Sequence, residues 1–285
     1  MSLITPLDPG TPRRVVATPP VEVRESVHTT LFGRITSAVA SSCGSVHAVN
    51  EDAHSAIDRS GTIYIVADGV GGGALAAMVS RRLVAHLHAA LEVDGIGVDT
   101  VCQAMLDADR AIADSIAQVT DAPGAATVAL CAPVNLVASK WLVAWVGDCR
   151  VYHAPADGRP PRALTVDDTF EHLQETPPPG STPDDPARMV GNGAVVRPNV
   201  ALADVAPGDL LVACSDGVHK HVRPDEWQRV LASGTGLAQR CEELIAIARA
   251  NGSTDDATAL LVQRSGLGVP RLPWPGRRHA DGGAR

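Results

Sequence analysis

No two of the six cysteines (Cys43, Cys102, Cys131, Cys149, Cys214, Cys241) stand in a CxxC spacing, and four of them lie in or beside apolar runs. That argues for reduced, mostly buried thiols in a cytoplasmic chain, and against a disulfide framework or a zinc knuckle. Positive charge is scarce too. Only 24 Lys and Arg face 32 Asp and Glu, for a net charge of -8, so the surface that non-specific phosphate-backbone binding needs is missing. Nucleic acid is therefore not an expected partner. No apolar run reaches the roughly 18 residues of a membrane span. The stretch Met1 to Pro6 has no basic region followed by an apolar one, so neither a membrane span nor secretion is expected. Ten histidines are present, none in an HxH or HExxH arrangement suited to zinc.

What is present is enough for a folded protein: 285 residues with 45% hydrophobic content. Residues 1–30 carry Pro6, Pro9, Pro12, Pro19 and Pro20 without a sustained period and read as a poorly ordered arm. Residues 265–285 read as a flexible, basic, Pro- and Gly-rich tail, which leaves 31–264 as the folded domain. Within it, Ile63 to Ala67 is a β-branched run closed by Asp68-Gly69, as in a buried strand ending in a turn. Helical spacing follows over 73–91 and again over 99–119. Strand-like segments then crowd together at 126–131, 141–146, 151–153, 200–202 and 210–214. Helices are expected at 225–231 and 237–250, and a last strand at 257–262. Strands in clusters, separated by paired helices, favour an α+β antiparallel sandwich flanked by helices over a doubly wound parallel sheet. The proline-rich stretch Phe170 to Pro198 reads as a surface excursion. Trp141 and Trp145 alternate on one strand and are expected to pack.

Acidic residues recur where apolar strands begin or end: Glu51-Asp52, Asp68, Asp148, Asp216 and Asp255-Asp256. One Asp-Gly is only a turn signature. Several carboxylates gathered in one cleft repel one another and resist ionisation, so they imply a hard cation to neutralise them. Oxygen-only ligation selects Mg²⁺ or Mn²⁺ over zinc.

The motifs Asn50-Glu51-Asp52, Ala67-Asp68-Gly69-Val70-Gly71-Gly72, Gly147-Asp148-Cys149-Arg150, Ser215-Asp216-Gly217 and Asp255-Asp256-Ala257-Thr258 resemble, in order, those of the metal-dependent protein phosphatase 2C family of serine/threonine phosphatases, bacterial type. Gly124 to Thr127, Leu164-Thr165 with Asp167-Asp168, and Pro207 to Asp209 add to the likeness, which covers roughly 33–264. The resemblance implies a four-layer α-β-β-α sandwich with two metal ions, Mn²⁺ or Mg²⁺, in a cleft at one edge of the two antiparallel sheets. It implies hydrolysis of phosphoserine and phosphothreonine in proteins by activated water. By the same resemblance Asp68 bridges both ions and the Gly69 carbonyl completes one shell. Asp216 and Asp255 hold one ion and Glu51 the other, Asp52 orients water, and Asp148 holds a weaker third ion. The expected partner is a phosphorylated protein linked to a serine/threonine kinase in a signalling circuit, with the phosphatase itself a monomer. A thiol mechanism is disfavoured: six residues after Cys43 and Cys149 stand Val49 and Pro155, not the arginine of a Cys-x5-Arg loop.

Three positions depart from the family pattern. His47 stands where several members carry a phosphate-holding arginine, and an imidazole lacks the bidentate fork. Lys220 stands where relatives often have an acid near the third ion; it either disfavours that ion or meets the phosphate itself. Asp256 replaces the usual Asn, either altering the shell around Asp255 or occupying a solvent-facing turn. Arg188 and Arg197, in the segment aligned with the family's flap, are further phosphate candidates. Cys149 reads as a small buried thiol. Two rival functions stay open: a catalytically weak or inactive relative that binds a phosphorylated partner, and a small-molecule phosphoesterase.

Overall fold

The computed structural model describes residues 20–58, 61–92, 95–120, 122, 124–195 and 197–266. Two antiparallel sheets form its middle. The first runs β1 (Glu22–Thr30), β2 (Gly33–Ser42), β11 (Ala257–Gly266), β10 (Leu210–Cys214), β7 (Arg150–Ala154) and β8 (Arg162–Ala163) in spatial order. The second runs β3 (Asp52–His54), β4 (Tyr64–Val70), β5 (Ala125–Pro133), β6 (Lys140–Val146) and β9 (Asn199–Asp204). Their facing sides interdigitate through Ile35, Val39, Val66, Trp141, Leu211 and Leu260, a core with no polar periodicity to break it.

Each outer sheet face is sealed by amphipathic helices. Helix α1 (Ala74–Leu91) buries Val79, Leu83, Leu87 and Leu91, and α2 (Val98–Ala117) buries Val101, Met105, Ile112 and Ile116, both against the second sheet. On the other side, α5 (Pro224–Leu231), begun by a proline at its first helical position, and α6 (Leu237–Ala250) cover the first sheet with Trp227, Leu244 and Ile245. Two one-turn helices, α3 (Phe170–Leu173) and α4 (Asp216–His219), complete the chain. The α-β-β-α sandwich expected from the sequence is the observed fold. Trp141 and Trp145 pack between the sheets as expected, each indole N–H donating to a backbone carbonyl. Among the described residues no helix is long and apolar enough to cross a membrane.

Two expectations change. Residues 22–30, read as part of an unstructured arm, form β1 and pair over their whole length with β2. This strand is held by backbone hydrogen bonds at a sheet edge, not by burial, so it leaves little apolar signal; the rest of the arm, 1–19, lies outside the described residues, as does 267–285 of the tail. The segment 170–198 is not a free excursion either. Asp109 on α2, itself buried, accepts from the backbone N–H groups of Gly191 (2.7 Å), Gly193 (3.1 Å) and Val195 (3.2 Å) and fixes the loop to the helix layer.

Candidate metal centre

Antiparallel pairing explains why distant acids meet. The end of β10, the start of β11 and the start of β7 lie together, because β10 pairs antiparallel with both neighbours. In the second sheet β4 and β6 both run against β5, so their ends coincide. Asp68, Asp148, Asp216 and Asp255 all sit at these ends. Asp52 faces Asp68 directly in the β3–β4 register.

Sharp backbone turns keep that end tight. After β4 the chain reverses through Gly71, Gly72 and Gly73, whose φ values of 118°, 82° and 79° suit glycine only, and enters α1. The Gly73 N–H donates to Oε1 of Glu51, placing a carboxylate at the start of that helix. At Gly69 a Cβ would lie 2.4 Å from the Ala76 carbonyl oxygen, so only glycine lets α1 approach β4 this closely.

The carboxylates gathered there are costly as charges. Burial pushes the Asp68 carboxyl well above the usual carboxylate range, and repulsion from Asp52, Asp216, Asp148 and Asp255 adds to it. Burial pushes Asp52 up to about 8, and the hydrogen bond from Ser215 offsets only part of it. Asp148 is raised to about 6, by burial and by Asp216, with Lys220 opposing. Burial acts on Asp216 in the same sense, but there the Lys220 ammonium outweighs it and holds the group below its ordinary value. Asp255, exposed at the rim, is raised by partial desolvation and by Asp216.

Two buried oxygens, Oδ1 of Asp52 and Oδ1 of Asp216, have no hydrogen-bond partner. Buried acceptors left without donors, in a group of mutually repelling carboxylates, are what a hard divalent cation satisfies. The donor set therefore fits Mg²⁺ or Mn²⁺.

The surrounding residues place these groups. Ser215 Oγ donates to Asp52 Oδ2 at 2.7 Å, and Ser80 Oγ on α1 donates to the Glu51 carbonyl at 2.6 Å. His47 Nδ1 lies 3.2 Å from Glu51 Oε1 and 3.9 Å from Asp256 Oδ2. Lys220 Nζ donates to Asp148 Oδ2 at 3.1 Å and to Asp216 Oδ2 at 2.8 Å. Asp256 does not occupy a solvent-facing turn: it is buried, and its two oxygens accept from the backbone N–H groups of Gly44 and Glu51, each at 2.6 Å. Cys149 is buried with its sulfur 3.2 Å from Thr127 Oγ1, as expected of a packing thiol. Arg188 and Arg197 line a cavity of about 350 Å³ with Asp168, whose carboxylate accepts from the Gly147 N–H next to Asp148.

One supporting residue escapes sequence reasoning. Arg249 on α6 donates to the carbonyls of Ser42, Cys43, Ser253 and Asp255, tying the loop that carries Asp255 to the end of β2. A lone arginine near a helix end carries no signal for such a role.

The family model for Protein phosphatase 2C matches residues 40–256, most of the chain and every acid named above. The chain belongs to the protein phosphatase 2C family. Solved structures share the fold of this phosphatase 2C chain. The serine/threonine phosphatase PstP/Ppp of Mycobacterium tuberculosis matches with a TM-score of 0.70 and 23% identity, over 82% of this chain and 100% of that one. Stp1 of Staphylococcus aureus matches with a TM-score of 0.71 and 19% identity, over 85% and 100%. A catalytic domain of PstP, solved in complex with two manganese ions, matches with a TM-score of 0.66 and 22% identity over 86% and 100%. A putative protein phosphatase 2C-type protein of Streptococcus pyogenes is 32% identical over 75 residues, 26% of this chain and 30% of that protein. That match thus spans less than a third of the relative's length.

Proposed function

We propose that this chain is a Mn²⁺- or Mg²⁺-dependent phosphatase that hydrolyses phosphoserine and phosphothreonine in proteins. The observation that carries the reading is the convergence of Asp52, Asp148, Asp216 and Asp255 on Asp68, with buried acceptor oxygens of Asp52 and Asp216 left unpaired. Asp68 would be shared by two ions, with Asp216 and Asp255 holding one, Glu51 the other, and the Gly69 carbonyl completing one shell. When bound, such a pair supplies Lewis-acid stabilisation of phosphoryl oxygens and lowers the pKa of water.

The chain's own residues do the rest. Ser215 holds one oxygen of Asp52 and leaves the other free to accept a proton from water. Gly73 and His47 hold the Glu51 carboxylate in one orientation. In its imidazolium form His47 would have Nε2 to offer a substrate phosphate while Nδ1 faces Glu51, and Lys220 has one N–H beyond its two carboxylate bonds. The neighbouring cavity with Arg188 and Arg197 suits the residues flanking a phosphorylated side chain. The partner is then a phosphoprotein made by a serine/threonine kinase, met by a monomeric, cytoplasmic enzyme.

Phosphate release from a phosphothreonine peptide and from p-nitrophenyl phosphate, with and without Mn²⁺, tests the reading. Mn²⁺-dependent release from the peptide supports it. Peptide binding without turnover would make the chain a phosphoprotein-binding relative, and turnover of the small ester alone a small-molecule phosphoesterase.

A further inference from the structure

The acid cluster carries one cation of its own. Lys220 follows Asp216 by four residues, one helical turn, and its ammonium bridges Asp216 Oδ2 (2.8 Å) and Asp148 Oδ2 (3.1 Å). Among the described residues no other Lys or Arg side chain forms an ion pair with Asp52, Asp68, Asp148, Asp216 or Asp255. Resting on the function proposed above, we infer that Lys220 is the resident counter-cation of this centre: it claims Asp148, limits the centre to two divalent ions, and holds Asp148 and Asp216 together when no ion is bound.

The physical case is one of competition. An ammonium is a compact point charge with three donors on a flexible stem, so it can serve both carboxylates at once. It is tethered, so it never dilutes away from Asp148, whereas a divalent ion there must displace it and approach a fixed positive charge. Asp148 is almost fully buried, with 3% of its side chain exposed, so its engaged oxygen has little water to fall back on once the ammonium leaves. Asp216 differs: its Oδ1 is unpartnered and remains available as a ligand while Oδ2 stays with Lys220.

The test is the number of Mn²⁺ ions bound per chain, by calorimetric titration, together with the thermal midpoint of chelator-treated protein. Two ions are expected for the wild type and three for Lys220→Met, which keeps the chain length and removes the charge. The metal-free midpoint of Lys220→Met should fall by on the order of 5 °C and recover with Mn²⁺. Asp148→Asn should leave the wild-type count at two, and it decides the matter if Lys220→Met does not fold. An unchanged count and midpoint in Lys220→Met, or a count reduced to one in Asp148→Asn, overturns the assignment of Lys220 alone. A wild type that binds no Mn²⁺ overturns the phosphatase reading itself.

Discussion

Buried aspartates occur in two kinds of surroundings here, and the contrast separates scaffold from site. Asp109 receives three backbone N–H groups, Asp256 receives two, and Asp209 receives two together with the His153 imidazole at 2.8 Å. Each has its charge met by donors and fastens one segment of chain to another. Asp52 is as buried as these, and Asp68 and Asp216 are half-buried, but all three face other carboxylates, and two of their oxygens are buried with no donor at all. A protein retains such an arrangement at a cost in stability, and the cost marks the place where chemistry is done.

Asp68→Asn should break the contrast most sharply. On the function proposed above, Mn²⁺-dependent phosphate release should fall by at least about 100-fold, because the two ions would lose their shared charge. The chelator-treated variant should unfold no earlier than the wild type, since repulsion with Asp52, Asp148, Asp216 and Asp255 is relieved. Activity assays paired with calorimetry read both halves. Full activity would dissolve the distinction between the two kinds of aspartate.

Asp109→Ala is the complementary change. Three backbone donors, that of Gly191 buried, lose a charged acceptor, and roughly 3 kcal/mol of stability should go with it in urea denaturation. Per folded molecule the Mn²⁺ count should stay at its wild-type value, because Asp109 touches none of the clustered acids.

How much of this could be read in advance follows the same division. The acids at strand ends were legible because Asp beside Gly after a β-branched run has a geometric meaning that survives without the fold. The inner strand β2 was not. Its sequence, Gly-Arg-Ile-Thr-Ser-Ala-Val-Ala-Ser-Ser, is mostly of small residues, and it owes its burial to β1, β11, α6 and the inter-sheet core packed around it. Tertiary context, not local propensity, makes it a strand. Asp109 and Arg249 were hidden for a related reason: each satisfies backbone groups far away in sequence, and a single helical charge looks solvated until the loop it binds is in view. His47 and Lys220 were noticed as departures from a pattern, yet only coordinates reveal that both are turned toward acids of the cluster.

Asp256→Asn sharpens the contrast at its boundary, since this satisfied aspartate abuts the unsatisfied group. An amide offers one acceptor where two backbone donors, Gly44 and Glu51, now arrive, so one N–H group would meet an NH₂ instead. A loss of about 1 kcal/mol is expected, with a modest weakening of Mn²⁺ binding through displacement of Glu51. Urea denaturation and metal titration of the same variant measure the two effects. Tighter Mn²⁺ binding would mean that the charge of Asp256 opposes the centre and does not support it.

Asp209 tests the satisfied class by pH. Burial alone would raise its carboxyl, but the Ala156 N–H, the His153 side chain and the Ala206 N–H outweigh it, and the group is held below its ordinary value. The stabilisation is therefore complete above the unfolded-state value of about 4 and is lost as pH falls through the lower folded-state value. Asp209→Asn should cost roughly 1 kcal/mol at pH 7, and the gap to wild type should close as the pH drops below about 4. Asp209 lies at the far end of β10 from Asp216, so metal binding should not alter this gap. Denaturation of both proteins at several pH values, with and without Mn²⁺, checks each part. A gap that persisted at low pH would place the cost of the substitution in packing and not in the charge of Asp209.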